Sequence, residues 1–197
     1  TQYRKKTLIF EIVSFTDALR TEWDSIVNKS KQGSFLHKVD YFTYHQDRFD
    51  DCSLVVYKKG KPVAIFPANK INNDVYSHSG LTYAGLIYGN ELSATDVLMI
   101  FELIKRRYRK MGLTKLYYKC IPNVFCNYPA DEILYAIFRN DGVLYRRDIG
   151  VVIELGSIQP GYSKLRKRMI KKAVKADLHL NEELDFRKFH RLLSNVL

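Results

Sequence analysis

The side chains best suited to chemistry cluster in one stretch that reads HSGLTYAG from His78 onward. His78 is a candidate general base, because an imidazole titrates near neutrality and could take a proton from an attacking amine or hydroxyl. Tyr83 is a second candidate for proton transfer, and Thr82 is a candidate substrate contact. The structural alternative for His78 is a histidine whose hydrogen bonds only fix the loop. Gly80 and Gly85 serve either unusual backbone conformations or close approach to a ligand.

A second set of polar side chains comes earlier, on and before a predicted short helix: His37, Tyr44, His45 and Arg48. Together with the loop they could line a pocket for an acceptor substrate. The Arg48 guanidinium could bind a carboxylate or phosphate through two parallel hydrogen bonds. The alternative is a polar helix face packed against a hairpin, and the residues alone leave both interpretations open.

Positive charge concentrates near the end of the sequence, in a predicted helix with no acidic residue before Asp177. Its basic residues are Lys164, Arg166, Lys167, Arg168, Lys171, Lys172 and Lys175, of which Lys164, Arg168, Lys171 and Lys175 share one face. Because these charges repel one another, the pattern predicts a polyanionic partner: tRNA, a nucleotide-linked precursor or an anionic membrane surface. A solvated surface is the alternative. No aromatic platform accompanies the helix, so sequence-specific DNA binding is not expected.

Composition narrows the class of protein. The chain has 197 residues, 46% of them hydrophobic, which is enough for one packed domain or one domain plus a piece of another. Its net charge of +11 also favours an anionic partner. Glu11 interrupts the first apolar run, which therefore predicts a strand rather than a signal peptide. Cys52, Cys120 and Cys126 lack metal-ligand spacing, so we expect no metal and a cytoplasmic location, with peripheral attachment to the inner face of the membrane as a variant.

The remaining patterns predict how the first part of the chain is built. A strand at 7–13 precedes an amphipathic helix at 18–30 that ends before Gly33, and then a short helix with Asp40 as its N-cap. An antiparallel meander follows, with strands at 53–57, 62–68 and 74–78, and its hairpin turns at Lys58 to Lys61.

The second part of the chain begins with a capping box at Ser93 to Asp96. The helix that follows turns Val97, Leu98, Phe101, Ile104, Tyr108 and Met111 inward and stops at Gly112. We then expect a strand at 114–121, a helix from Pro129 to Phe138, and a long strand or bent strand pair at 143–155 with a bulge at Gly150. A break from Gly156 to Gly161 precedes the basic helix, a short strand and a last helix. The order indicates an α+β fold.

Three motifs carry a resemblance to a known family: Tyr44-His45-x-Asp47-Arg48-Phe49, His78-x-Gly80-Leu81-Thr82-Tyr83-x-Gly85 and Arg168-x-Ile170-Lys171-Lys172-Ala173. From about Gly33 onward the chain resembles the Fem-type branch of the GNAT acyltransferase superfamily. The resemblance implies a GNAT-like fold, a mixed and mostly antiparallel sheet flanked by helices. It also implies two such halves in tandem, with a GNAT-like domain at 1–155 and the start of a second half at 156–197.

The same resemblance implies an acyl- or aminoacyltransferase of cell-envelope biogenesis, acting on a peptidoglycan or surface-polysaccharide precursor or a sugar. Its donor would be acyl-CoA or aminoacyl-tRNA. A glycine-dense, basic turn before the central helix is typical of acyl-CoA sites in the superfamily, whereas residues 86–90 read LIYGN here. We therefore expect the donor in a second half and the acceptor in this one. Since no nucleophile motif is present, direct transfer within a ternary complex is favoured. The alternative is a catalytically inactive GNAT-like module that binds a polyanion.

Overall fold

The computed structural model describes residues 9–156, 161–179, 182 and 184–196, with every side chain among them except that of His45. The chain divides into two compact units, Thr1–Gly150 and Val151–Leu197. The boundary expected between Gly156 and Gly161 includes residues outside the described set. The division into 1–155 and 156–197 stays a prediction.

Within the described residues, the strands are β1 (Phe10–Ser14), β2 (Asp50–Asp51), β3 (Leu54–Lys58), β4 (Lys61–Phe66), β5 (Asn69–Ile71), β6 (Asp74–Tyr76), β7 (Ile87–Tyr88) and β8 (Lys115–Tyr117). The helices are α1 (Arg20–Lys29), α2 (Val39–Phe42), α3 (Ala94–Lys110), α4 (Glu132–Arg139), α5 (Lys164–Lys175) and α6 (Phe186–Val196). Short 3₁₀ turns occupy Asp17–Leu19, Phe35–His37, Thr43–Arg48 and Asn123–Phe125. The fold is α+β, with mostly antiparallel sheets flanked by helices, as predicted.

The first sheet has the order β1-β3-β4-β7 and is antiparallel throughout. The predicted hairpin is confirmed: β3 and β4 join through Lys59 and Gly60, whose φ angles are 51° and 75°. Two positive φ angles in a row are typical of the tight hairpin turn that matches strand twist. The predicted strand at 7–13 corresponds to β1, although residues 7 and 8 lie outside the described part of the chain.

The prediction of one continuous meander through 74–78 is wrong. Pro67 ends β4, since proline has no N–H for the ladder, and the chain then enters a second sheet with the order β2-β5-β6-β8. There β6 pairs antiparallel with β5 and parallel with β8. The neighbour of β4 in the first sheet is instead β7, the short strand that leads into α3.

Both faces of the first sheet are covered by helices. On one face Leu54 and Val56 pack with Ile100 and Ile104 of α3, and on the other Val55 joins a cluster that includes Trp23 of α1 and Phe42 of α2. Successive β3 side chains therefore enter opposite clusters, as the two-residue strand period requires. The sheet is fixed between two packed layers, and the loop from β6 to β7 is anchored to it.

The long helix α3 begins and ends as the sequence predicts. Ser93 caps it, with its hydroxyl accepting the Asp96 N–H at 3.2 Å while the Asp96 carboxylate accepts the Ser93 N–H at 3.1 Å. At the other end Gly112 has φ 78°, and the Leu113 N–H donates to the Tyr108 carbonyl at 3.0 Å, which is a Schellman ending. Met111 is exposed rather than inward, because it follows the last turn of the helix, and Ile100 is the buried residue that the prediction omitted.

Two other local predictions are wrong. Asp40 is not the N-cap of α2, which begins at Val39; the Val39 N–H donates to the carboxylate of Asp24 on α1 at 3.1 Å, and Asp40 pairs with Arg20. Residues 143–156 form no strand, and apolar side chains there are exposed, Ile149 by 97%. A strand needs a neighbour for its ladder, and the described residues offer none to this segment. Between the basic helix and the last helix, where a short strand was expected, the described residues form none, and residues 180, 181 and 183 lie outside the described set.

Candidate active site

His78 lies where β6 ends and the loop to β7 begins. Its φ is 51°, a left-handed conformation that is uncommon outside glycine. The side chain is only 3% exposed, and its ring meets those of Phe42 and Phe49 edge-on, with centroid distances of 5.6 Å and 5.2 Å. The His78 N–H donates to the Tyr76 carbonyl at 2.7 Å. Backbone and packing together hold the ring in one orientation.

One ring nitrogen of His78 has no hydrogen-bond partner. Nδ1 is buried and has no hydrogen-bond partner among the described residues. A buried polar atom without a partner costs about 1–3 kcal/mol of stability and is uncommon in native proteins. Burial and, to a smaller extent, the nearby Lys119 ammonium lower the pKa of His78 to about 4. The Lys119 Nζ itself donates to the Leu81 carbonyl. At neutral pH the imidazole is therefore uncharged.

A cavity of about 210 Å³ opens beside this ring. It is lined by Phe15, Thr16, Asp17, Phe42, Thr43, Gln46, Phe49, Asp51 and His78. Aromatic rings form one side, since Phe15 also contacts Phe42 at 5.5 Å. Two carboxylates and no cationic side chain belong to the lining, so the cavity suits an amine or ammonium group better than a phosphate.

The two carboxylates of the cavity differ in their partners. The Ser53 hydroxyl and N–H donate to Asp51 at 2.6 Å and 3.2 Å. Loss of hydration raises the pKa of Asp51 above its ordinary value, and the hydrogen bonds from Ser53 oppose this rise. Asp17 is already engaged by Arg20 at 3.4 Å. Asp51 is therefore the carboxylate better placed to hold an added positive charge.

His37 is buried like His78, but both of its ring nitrogens have partners. The Ser34 N–H donates to Nδ1 at 3.0 Å, so the ring proton is on Nε2, which donates to the Tyr83 carbonyl at 3.2 Å. Burial lowers the pKa of His37 to about 4 against the opposing effect of the Tyr83 bond. The side chain does not line the cavity; it ties the Phe35–His37 turn to the loop that carries His78.

The other predicted loop residues support the loop in different ways. A Cβ at Gly80 would lie 2.7 Å from the Phe49 ring, so glycine allows Phe49 to close on His78. Gly85 has φ 148°, and a Cβ there would lie 2.2 Å from the hydroxyl of Tyr118. Tyr83 stacks on Phe125 at 5.1 Å, and burial raises the pKa of its phenol. Thr82 is exposed.

The structure does not bring every predicted site residue to the cavity. Tyr44 is 76% exposed, Arg48 is exposed on the same 3₁₀ segment, and neither lines the cavity. The His45 side chain lies outside the described set. The residues that sequence reasoning missed are Asp17, Asp51 and the phenylalanines, because their approach to His78 depends on contacts between distant segments. Among these residues, Phe49 was the one that belonged to a motif singled out in the sequence, Tyr44-His45-x-Asp47-Arg48-Phe49.

The turn between β7 and α3 does not fit the diphosphate of an acyl-CoA. The Glu91 carboxylate is folded against Gly89, where an added Cβ would lie 2.1 Å from its oxygen. The Asp96 carboxylate already neutralises the first turn of α3 and pairs with Lys58 at 2.8 Å. Two carboxylates at a helix N-terminus repel a phosphate that an open N-terminus would attract.

The outer edge of β7 is also occupied. The Lys31 N–H donates to the Tyr88 carbonyl at 2.9 Å, and the Gln32 amide donates to the Leu86 carbonyl at 3.3 Å. A ligand amide could pair with this edge only by displacing both. The residues present therefore do not fit acyl-CoA at the position that the family-like pattern would give it.

The predicted polyanion-binding residues all lie on α5, in the second unit. Lys164, Arg168, Lys171, Lys172 and Lys175 are exposed, and within the described part of the chain no acidic side chain pairs with any of them. The Ser163 hydroxyl caps the helix by accepting the Arg166 N–H at 3.3 Å. Among the described residues no helix is long and apolar enough to cross a membrane, and no His, Cys, Asp or Glu cluster suits a metal ion.

Comparison with known proteins gave structural similarities only. No family model matches the chain, and no curated protein matches it. Solved structures similar to it include the aminoglycoside N-acetyltransferase AAC(6')-Iy in complex with CoA, with a TM-score of 0.43 and 11% identity over 74% of this chain and 95% of that one. Another is the aminoglycoside 6'-N-acetyltransferase AAC(6')-IG from Acinetobacter haemolyticus, with a TM-score of 0.41 and 16% identity over 76% and 99%. Nothing about the substrate or donor of this chain follows from them.

Proposed function

We propose that this chain provides the acceptor site of a GNAT/Fem-type acyl- or aminoacyltransferase whose acceptor is a cell-envelope or surface-polysaccharide precursor. The observation that carries the proposal is the buried His78 ring, which lines a cavity together with carboxylates and aromatic rings. The α+β order of the elements and the family-like loop support it. The enzyme would work in the cytoplasm or at the inner face of the membrane.

In this proposal Asp51 attracts the acceptor as an ammonium ion, which loses a proton before it reacts. The neutral His78 imidazole then accepts a hydrogen bond from the free amine. As the nitrogen bonds to the acyl carbon, the bond from that carbon to the leaving group breaks, the leaving group takes the electron pair, and the amine proton passes by way of His78 to the leaving group. Because a pKa of about 4 makes His78 a weak base, positioning contributes more than proton transfer.

The donor, acyl-CoA or aminoacyl-tRNA, would bind outside the turn that precedes α3, since that turn is closed by Glu91 and Asp96. The chain's own residues bind and orient the acceptor. His78 is the proposed catalytic residue at the cavity and Asp51 the proposed binding residue, whereas Tyr83, which stacks on Phe125 and does not line the cavity, supports the loop.

Calorimetry with a simple aliphatic diamine, cadaverine, tests the acceptor site. We expect saturable binding that weakens at least fivefold in Asp51→Asn, because one carboxylate of the cavity loses its charge. Asp50→Asn is the matched control: its side chain pairs with Lys70 at 3.2 Å and does not line the cavity. Equal affinity in both variants, or no binding at all, would contradict the proposal.

A second candidate function is a GNAT-like module without catalysis that holds a polyanion. The specific observation in its favour is the basic surface of α5, which has no acidic partner among the residues that the structure describes. It predicts tRNA or anionic-vesicle binding that falls steeply with salt and weakens on charge reversal at Arg168 and Lys172. Affinity that is indifferent to salt would exclude it.

A further inference from the structure

The second unit, Val151–Leu197, carries two helices whose apolar side chains are exposed. On α5 these are Leu165, Met169, Ile170 and Val174, and on α6 they are Phe186, Phe189, Leu192, Leu193 and Val196. Phe186 is 74% exposed and Val174 is 72% exposed. Exposed single apolar residues are ordinary, but a run of them along two amphipathic helices marks a contact surface.

Charge and apolar surface are arranged together on α5. At 100° per residue, Lys164, Lys167, Arg168, Lys171, Lys172 and Lys175 fall on one half of the helix. Leu165 and Met169 border one side of this half, and Val174 lies at the other side. The helix therefore presents a cationic surface with apolar side chains at its margins.

Apolar and basic side chains are more clearly separated on α6 than on α5. Phe186, Phe189, Leu192, Leu193 and Val196 fall within about 120° of one another, whereas Arg187, Lys188 and Arg191 lie on the opposite side. A helix with aromatic and leucine side chains on one face and basic side chains on the other is typical of helices that lie in a membrane interface.

We propose that α5 and α6 form a docking surface for an anionic membrane leaflet. The proposal narrows the polyanion-binding candidate and does not depend on the role of His78. Nucleic acid would neutralise the basic side chains but would leave the apolar ones in water. A second copy of the chain could cover the apolar side chains but would bring two cationic surfaces together. An anionic bilayer surface satisfies both the charge and the apolar side chains.

Cosedimentation of the whole chain with lipid vesicles tests the proposal. We expect binding to phosphatidylcholine vesicles containing about 30 mol% phosphatidylglycerol and none to pure phosphatidylcholine. The apolar variant Phe189→Gln with Leu192→Gln should bind the anionic vesicles about tenfold more weakly, with tRNA affinity unchanged. Because both side chains are exposed, the variant should fold, and its circular dichroism spectrum and unfolding midpoint should match those of the native chain.

A charge variant completes the test. The double variant Arg168→Glu with Lys171→Glu should also weaken vesicle binding about tenfold. The control variant Arg109→Glu with Lys110→Glu makes the same charge change at the exposed end of α3 and should weaken binding less than threefold. Binding to tRNA without binding to vesicles would overturn the membrane proposal while leaving the polyanion candidate standing. Vesicle binding unchanged by the apolar variant would overturn it, as would self-association that the apolar variant abolishes.

Discussion

His37 and His78 belong to two regions of the first unit that look alike by burial and differ in hydrogen bonding. Burial lowers the pKa of each to about 4, so both are neutral at physiological pH. In the Phe35–His37 turn both ring nitrogens have backbone partners. In the loop after β6, Nδ1 of His78 has none, and the ring lines a cavity. Burial and a lowered pKa are therefore common to both histidines, which differ in the hydrogen bonding of Nδ1 and in the position of the His78 ring at the cavity.

The largest expected difference between the two regions is in folding stability. His37→Ala should lower the free energy of unfolding by about 3 kcal/mol, because it removes a fully buried side chain and strands the Ser34 N–H and the Tyr83 carbonyl. His78→Asn should cost about 1 kcal/mol less than that, since asparagine tolerates positive φ and no hydrogen bond to Nδ1 is lost. Urea denaturation measures both, and losses of equal size would contradict the comparison.

The second prediction concerns acid. Each of these histidines has a pKa near 4 in the folded chain and near 6.5 in the unfolded chain. Between these pH values only the unfolded chain binds the proton, so the folded state is at full stability above pH 6.5 and loses stability as the pH falls toward 4. Each histidine should remove about 2 kcal/mol of unfolding free energy at pH 5 relative to pH 7. In His78→Asn the loss between these pH values should shrink by that amount. An unchanged pH dependence would show that His78 already accepts a proton in the folded state.

A smaller effect is expected beyond β7, where Ser93 caps α3. Ser93→Ala should cost about 1 kcal/mol of folding stability, the usual value for a lost helix cap. Its affinity for cadaverine should not change, because the capped turn is closed by the protein's own groups. A severalfold loss of amine affinity in a variant that is still fully folded would place the acceptor near α3 instead of near His78.

The smallest effect is expected at Arg48. Its side chain is exposed and lies outside the cavity lining, so Arg48→Ala should change unfolding free energy by less than about 0.5 kcal/mol and amine affinity by less than twofold. Thermal unfolding and calorimetry measure the two. A tenfold loss of affinity would instead favour the acceptor pocket that the sequence suggested, with Arg48 as a direct contact.

Local sequence signals were sufficient for much of the fold. The Lys59-Gly60 turn, the Ser93 capping box and the Gly112 helix ending are each encoded within a few residues, and each was predicted. The strand expected at 143–155 was wrong, because β-propensity needs a partner strand and no local pattern supplies one. Likewise Pro67 sends the chain into a second sheet, a consequence visible only once both sheets are known.

The candidate site was harder to predict, for the same reason. His78 and Gly80 could be singled out from residue type and spacing. The difference between His37 and His78 could not, since the Tyr83 carbonyl that satisfies His37 lies 46 residues away in sequence. Asp17 and Asp51 reach the cavity from two separate segments, and no motif joins them.

The most direct test of the central claim compares the two histidines in one sample. In the chain labelled with ¹⁵N-histidine, titration with cadaverine at pH 7 should shift the ring nitrogen resonances of His78, because the amine enters the cavity that this ring lines. The resonances of His37, whose nitrogens are already paired, should stay in place. Resonances of His78 that do not move, or that move only together with those of His37, would contradict the acceptor site proposed here.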